Sequence, residues 1–248
     1  MLSVIKRAGL AAGLVVASAA AAQAQISPTG QGGGVTDPNW SLIWMLTGSA
    51  PAGTTYLTPN GNLTNANVIT TIPSPPWQPN SPFTRWIGIN STGIQQTTTG
   101  SAVGDGVLRF QYEFTTKIGS TSPITGFIGW DNILVGYRTS SSLALAASNF
   151  GQAVNTSVFG SSPSFNDDGF CRADGEHLPS DFPNCVSAFT LPNTGWAAGD
   201  YLTIVLKGDG KTDGLFITTP EPATYLLVAG GLLAMFGVSR RRGQHNNV

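Results

Sequence analysis

The sequence predicts an all-β fold, an antiparallel β-sandwich of jelly-roll type, with an N-terminal signal peptide and a short C-terminal transmembrane helix. Three observations carry this. Short runs of alternating apolar and polar residues recur between clusters of Gly, Pro, Asn and Asp, the pattern of strands with one buried face. The central region shows no convincing run of the three-to-four-residue apolar spacing that marks an amphipathic helix. Uncharged apolar runs lie at both ends, each beside a group of basic residues.

At the N-terminus, Lys6 and Arg7 precede an apolar run from Ala8 to Ala22, and Ala22-Gln23-Ala24 is a small-x-small cleavage site. Cleavage after Ala24 by signal peptidase, following passage through the export machinery, leaves Gln25 as the first mature residue. Residues 25–39 read as a leader, with Ser27–Gly34 flexible because it is rich in Gly, Ser and Pro. The β-sandwich body is placed at 40–219. Trp40–Leu46 is its first strand. From Thr47 to Pro82 the Asn60-Gly61 pair and repeated prolines break the chain, and no central strand is expected over 72–79. Arg85–Ile89 is a short strand, and Gln95–Gly106 a polar loop.

Val107–Phe114 gives the clearest local pattern. Leu108, Phe110, Tyr112 and Phe114 alternate with Val107, Arg109, Gln111 and Glu113, so one face is buried and the other is expected to meet solvent. Ile124–Trp130, Asn132–Tyr137, Val186–Leu191, Tyr201–Lys207 and Leu215–Thr218 complete the set. At least eight short strands with turn signals between them, and no internal repeat, favour a sandwich over propellers and solenoids.

Residues 25–219 carry seven basic and twelve acidic side chains, a net charge of −5. That balance argues against nucleic acid and anionic lipid as partners of the body. Cys171 and Cys185 are the only cysteines. In an exported chain they read as a disulfide closing a loop worth ~3 kcal/mol in the chain-entropy model. The surrounding stretch, 166–181, holds five of the thirteen acidic residues and His177. Asp167, Asp168, Asp174 and Asp181 offer the hard oxygen ligands calcium prefers, though their spacing matches no EF-hand. A solvated loop needs no metal. No cofactor is expected, and calcium is left open.

Trp77 and Trp196 lie in a Pro-rich loop and a turn, where flat rings could stack on sugar faces; core packing is the commoner fate of tryptophan in sandwiches. No Gly-x-Ser-x-Gly elbow, His-Glu-x-x-His pair, phosphate loop or dinucleotide fingerprint occurs. Glu113 and Glu176 are the only glutamates of the body, so a two-carboxylate hydrolase has few candidates. The body is expected to be no enzyme.

The tail combines three signals. Pro220-Glu221-Pro222 enforces an extended neck, because each proline restricts the residue before it. An uncharged run over 223–238 follows, long enough as a helix to cover ~24 Å, a short membrane span. Arg240-Arg241-Arg242 then keeps the 243–248 end cytoplasmic and the body outside. In this order and position the three elements resemble the PEP-CTERM sorting signal, over 220–242. The resemblance implies recognition by an exosortase-type transpeptidase that cuts near the tripeptide, in bacteria that make exopolysaccharide and biofilm. It implies a cell-surface protein held transiently at the inner membrane and then sorted to the envelope or released.

The body bears a second resemblance, carried by Trp86-Ile87, by Phe110, Tyr112 and Phe114, and by Ile124-Thr125-Gly126 with Trp130-Asp131-Asn132. Ala198-Gly199-Asp200, Leu202, Ile204 and Gly214-Leu215 close the order. It is similar to a jelly-roll ectodomain of other PEP-CTERM proteins, related in shape to galactose-binding-like modules. An acidic, cysteine-bearing segment is inserted after Phe165 relative to that pattern. The expectation is a non-enzymatic envelope or matrix protein associated with exopolysaccharide. A lectin-like, calcium-dependent carbohydrate-binding module is the alternative, and a carboxylate-dependent hydrolase ranks below both.

Overall fold

Alternation in the sequence becomes antiparallel pairing throughout. The computed structural model describes residues 25–31, 34–49, 57–58, 60–71, 80–81, 84–94, 107–131, 133–156, 187–210 and 213–219. Its strands are β1 (Thr36–Leu46), β2 (Asn60–Val68), β3 (Ile87–Gly88), β4 (Phe110–Lys117), β5 (Ile124–Asp131), β6 (Ile133–Ser140), β7 (Ser187–Leu191), β8 (Tyr201–Gly208) and β9 (Gly214–Thr218). One short helix, α1 (Leu143–Ser148), follows β6. The strands form one sheet in the order β6-β8-β4-β1-β2-β3-β9-β5-β7. One compact unit runs from Gln25 to Thr219.

A single core explains why so long a sheet does not stay flat. Tyr137 of β6, Leu206 of β8, Tyr112 of β4 and Trp44 of β1 share one buried cluster with Trp130 of β5 and Leu191 of β7. Those strands lie at opposite ends of the sheet order. The sheet therefore curls on itself, and the expected all-β sandwich is realised as a curled half-barrel of nine strands. The inner side is rich in rings: Trp40 and Trp130 are fully buried in the cluster, and Phe110 stacks on Tyr112 with centroids 6.2 Å apart.

Three elements differ from the sequence expectation. β2 forms where Asn60-Gly61 and the polar run after it read as broken chain. It is held from both sides, by β1 (Trp44↔Asn60, Leu42↔Thr64) and by β3 (Asn67↔Gly88). Tertiary pairing outweighs weak strand propensity here. α1 was also not expected; Ser142 caps it by accepting from the Leu145 N–H at 3.2 Å, and only Ala146 of its residues is buried. Just beyond it, the Asn155 carbonyl approaches Gly136 so closely that a Cβ there would lie 2.6 Å away. Glycine at 136 lets Tyr137 and Asn155 bridge.

The third difference is the leader. β1 begins at Thr36 rather than Trp40, and Ile26 and Thr29 are buried at 1% and 0% exposure. Ile26 belongs to the core cluster, so part of the expected flexible segment is part of the fold. Composition alone suggested a linker, but one isoleucine and one threonine in fixed positions suffice to bind it.

Ile26→Ala should lower the unfolding free energy by ~2–4 kcal/mol in a denaturant titration, the usual cost of a large-to-small core change. Val35→Ala, at a site 72% exposed, should shift it by no more than ~0.5 kcal/mol. Equal midpoints for the two variants would restore 25–31 to the status of a leader.

Candidate functional site

The last strand of the body is where the fold hands over to the tail. β9 turns Leu215 and Ile217 into the core, while Phe216 packs on Trp86 with centroids 5.5 Å apart. It pairs with β5 along its length, from Asp131↔Gly214 to Phe127↔Thr218. On its other edge β3 supplies only Ile87↔Leu215. Thr29 fills the remaining edge. Its N–H donates to the Ile217 carbonyl at 2.9 Å, and its Oγ1 accepts from the Ile217 N–H at 2.9 Å. The Thr29 carbonyl in turn accepts from the Arg85 N–H at 2.9 Å.

Three further hydrogen bonds hold the first residues of the body, one of them to its last. The Thr219 hydroxyl donates to the Ile26 carbonyl at 3.1 Å, and Thr219 is 5% exposed. One residue earlier, the Gln25 carbonyl accepts from the Gly119 N–H at 2.8 Å, and its side-chain Oε1 accepts from the Thr125 N–H at 2.8 Å. Gln25 and Thr219, the residues flanking the two expected processing segments, thus belong to one hydrogen-bonded end of the body. Ala22 and Ala24, Pro220–Pro222 and Arg240–Arg242 lie outside the described residues.

The turn from β8 to β9 buries an acid that the sequence did not single out. Asp213 is 3% exposed; its Oδ2 accepts from the Tyr112 hydroxyl at 2.5 Å and from the Gly210 N–H at 2.9 Å. Among the described residues nothing donates to its Oδ1. Burial pushes the Asp213 carboxyl well above its ordinary value of 3.8, and the charges of Asp131 and Asp209 push it further. Burial also raises Asp37, against hydrogen bonds led by the Asn39 and Gly30 N–H groups. A Gly210 side chain would strike Phe110 at 2.3 Å, so the turn needs glycine both for space and for its φ of +86°.

Glu113 was expected on a solvent face and is instead 1% exposed. It pairs with Arg138, and its Oε1 accepts from Gln111 Nε2 at 2.8 Å and from the Gly151 N–H at 2.9 Å. The chain after α1 covers this face of β4, which is why alternation alone misjudged it.

Of the residues proposed to stack on sugar, Trp196 is not available. It is 4% exposed and part of the core. Asn193 causes this: its Oδ1 accepts from the Gly195 and Trp196 N–H groups at 2.6 and 3.1 Å, folding the turn so that the indole points inward. Trp40, Trp44, Trp86 and Trp130 are buried as well. Trp77, Cys171, Cys185, Asp167, Asp168, Asp174 and Asp181 lie outside the described residues. Among the described residues no three His, Cys, Asp or Glu side chains are grouped to hold a metal ion. No helix among them is long and apolar enough to cross a membrane.

Because the folded pKa of Asp213 is raised above 3.8, the folded state binds this proton more tightly than the unfolded chain does. Its stabilising contribution is full below the unfolded value and is lost as pH rises through the folded one. Asp213→Asn should remove that loss. In thermal melts across the acid-to-neutral range, the difference in Tm between variant and wild type should shift in favour of the variant as pH rises. Parallel profiles would show that folding does not shift the Asp213 carboxyl.

One family model matches the chain, the PEP-CTERM protein-sorting motif, at residues 218–242. The match begins inside β9 and includes the buried Thr219, so motif and fold overlap by two residues. No curated protein and no solved structure matches the chain. The resemblance of the body to galactose-binding-like modules therefore has no support from comparison. The tail of this chain is a PEP-CTERM protein-sorting motif, which marks an exported protein sorted to the cell envelope by an exosortase.

Proposed function

We propose that the protein is a non-enzymatic surface module, displayed at the envelope or in the extracellular matrix in association with exopolysaccharide. The observation that carries this reading is the position of the motif, which starts within the last strand of the fold. A tail joined so directly to the body delivers the body as its cargo. The glutamate of the sheet supports a non-catalytic role: Glu113 is committed to Arg138, Gln111 and Gly151 and is closed off by the chain beyond α1. The buried aromatics of the inner face are likewise packing residues.

Processing completes the reading. Signal peptidase cuts after Ala24, the apolar run 223–238 serves as a temporary membrane anchor, and Arg240–Arg242 remain cytoplasmic until the exosortase cuts near Pro220-Glu221-Pro222. The short span of 16 residues suits a segment that holds the chain only until it is cut. The hydrogen bond between Thr219 and Ile26, which joins the first and last segments of the body, is consistent with this order of cuts.

Intact-mass measurement of the exported protein should show an N-terminus at Gln25 and no residues beyond the tripeptide. Replacing all three residues of Pro220-Glu221-Pro222 by Ala should leave most of the protein uncut and membrane-associated. Mature protein still carrying Arg240–Arg242 would sink the sorting step. Display at the surface without retention by purified exopolysaccharide would sink the proposed association but not the sorting.

A further inference from the structure

We propose that Gln25 is a modification site, closing on itself to an N-terminal pyroglutamyl lactam once the signal peptide is removed. The inference rests on the cleavage after Ala24 proposed above, and adds a chemical step that the sorting motif does not imply.

Gln25 is held at both of its carbonyl groups. The main-chain carbonyl accepts from Gly119, and the side-chain carbonyl Oε1 accepts from the Thr125 N–H, both at 2.8 Å. Ile26 anchors the next residue in the core, and its carbonyl accepts from Thr219. Gln25 itself is half-buried, and among the described residues nothing accepts from its Nε2.

Removal of the signal peptide frees the α-amine of a residue whose side-chain amide carbon, Cδ, closes a five-membered ring with it. The amine nitrogen adds to Cδ, and negative charge builds on Oε1. That is the atom to which the Thr125 N–H already donates, a fixed backbone dipole aimed at the developing charge. The N–Cδ bond then forms fully, the Cδ–Nε2 bond breaks, and ammonia leaves with one proton from the amine. Oε1 stays on the chain as the lactam carbonyl, so an acceptor remains for Thr125. No oxidant, metal or second reactant is needed.

The product has no α-ammonium. Closure removes one positive charge from the end where the body meets its tail and denies aminopeptidases their substrate. The body is then blocked at one terminus by the lactam, while the other is set by the sorting cut.

The test is mass spectrometry of the N-terminal peptide from the full chain exported by its host, with a pulse-labelled time course after export. The expected species begins at Gln25, is one ammonia lighter than the free-amine peptide, and is opened by pyroglutamate aminopeptidase. Gln25→Asn, which cannot form the five-membered ring by this route, should leave the amine free. A synthetic peptide of residues 25–31 gives the unassisted rate, expected to be roughly tenfold or more slower than in the folded protein. An N-terminus at any other residue would overturn both the cleavage site and the lactam. An N-terminus at Gln25 with its amine intact would overturn the lactam alone. Equal rates in protein and peptide would remove the role assigned to Thr125.

Discussion

The fold depends on satisfying the free edge of β9. A strand whose two-residue neighbour covers only Leu215 leaves Ile217 with a backbone N–H and C=O at a buried position. Unpaired groups there would each cost about 1–3 kcal/mol. Thr29 answers both, the carbonyl through its own N–H and the N–H through its hydroxyl oxygen, and hands the ladder on to Arg85. The segment around it does the work of a missing stretch of β3. Ile26 secures it by burial and Asp37 from the other side, accepting from the Gly30 N–H at 2.5 Å.

This arrangement makes the ends of the body structurally one place. Gln25, Ile26, Thr125, Gly119 and Thr219 are linked by backbone and side-chain hydrogen bonds. The first and last residues of the compact unit, Gln25 and Thr219, therefore lie in one hydrogen-bonded region of the fold. The tripeptide, apolar run and arginines of the sorting motif are linear features of the sequence. The motif's two leading residues are nonetheless taken by the body.

Buried charge follows a similar logic. Glu113 and Arg138 pair on the covered face, with Gln111 and Gly151 occupying the remaining acceptor positions. Breaking such a pair from one side leaves an uncompensated charge, so the pair is a determinant of the fold. Asp213 has no cation beside it among its named partners and resolves its burial by favouring the neutral acid.

The sequence by itself determined the sorting tail and the antiparallel β class. Both rest on local order, the first on a linear succession of neck, apolar run and arginines, the second on period-two alternation such as that of Phe110, Tyr112 and Phe114. Strand β8 was legible to within a residue for the same reason. Tertiary structure alone decided what depended on a distant partner. Asn60–Val68 became a strand because β1 and β3 pair with it, and Glu113 became buried because the chain after α1 lies over it. Trp196 turned inward under Asn193, a side-chain capture that residue type did not reveal. Ile26 and Thr29 sat in a stretch whose composition reads as linker, and only the unfilled edge of β9, nearly two hundred residues away, gave them a place. Burial and edge pairing are properties of the assembled sheet, so no local pattern encodes them.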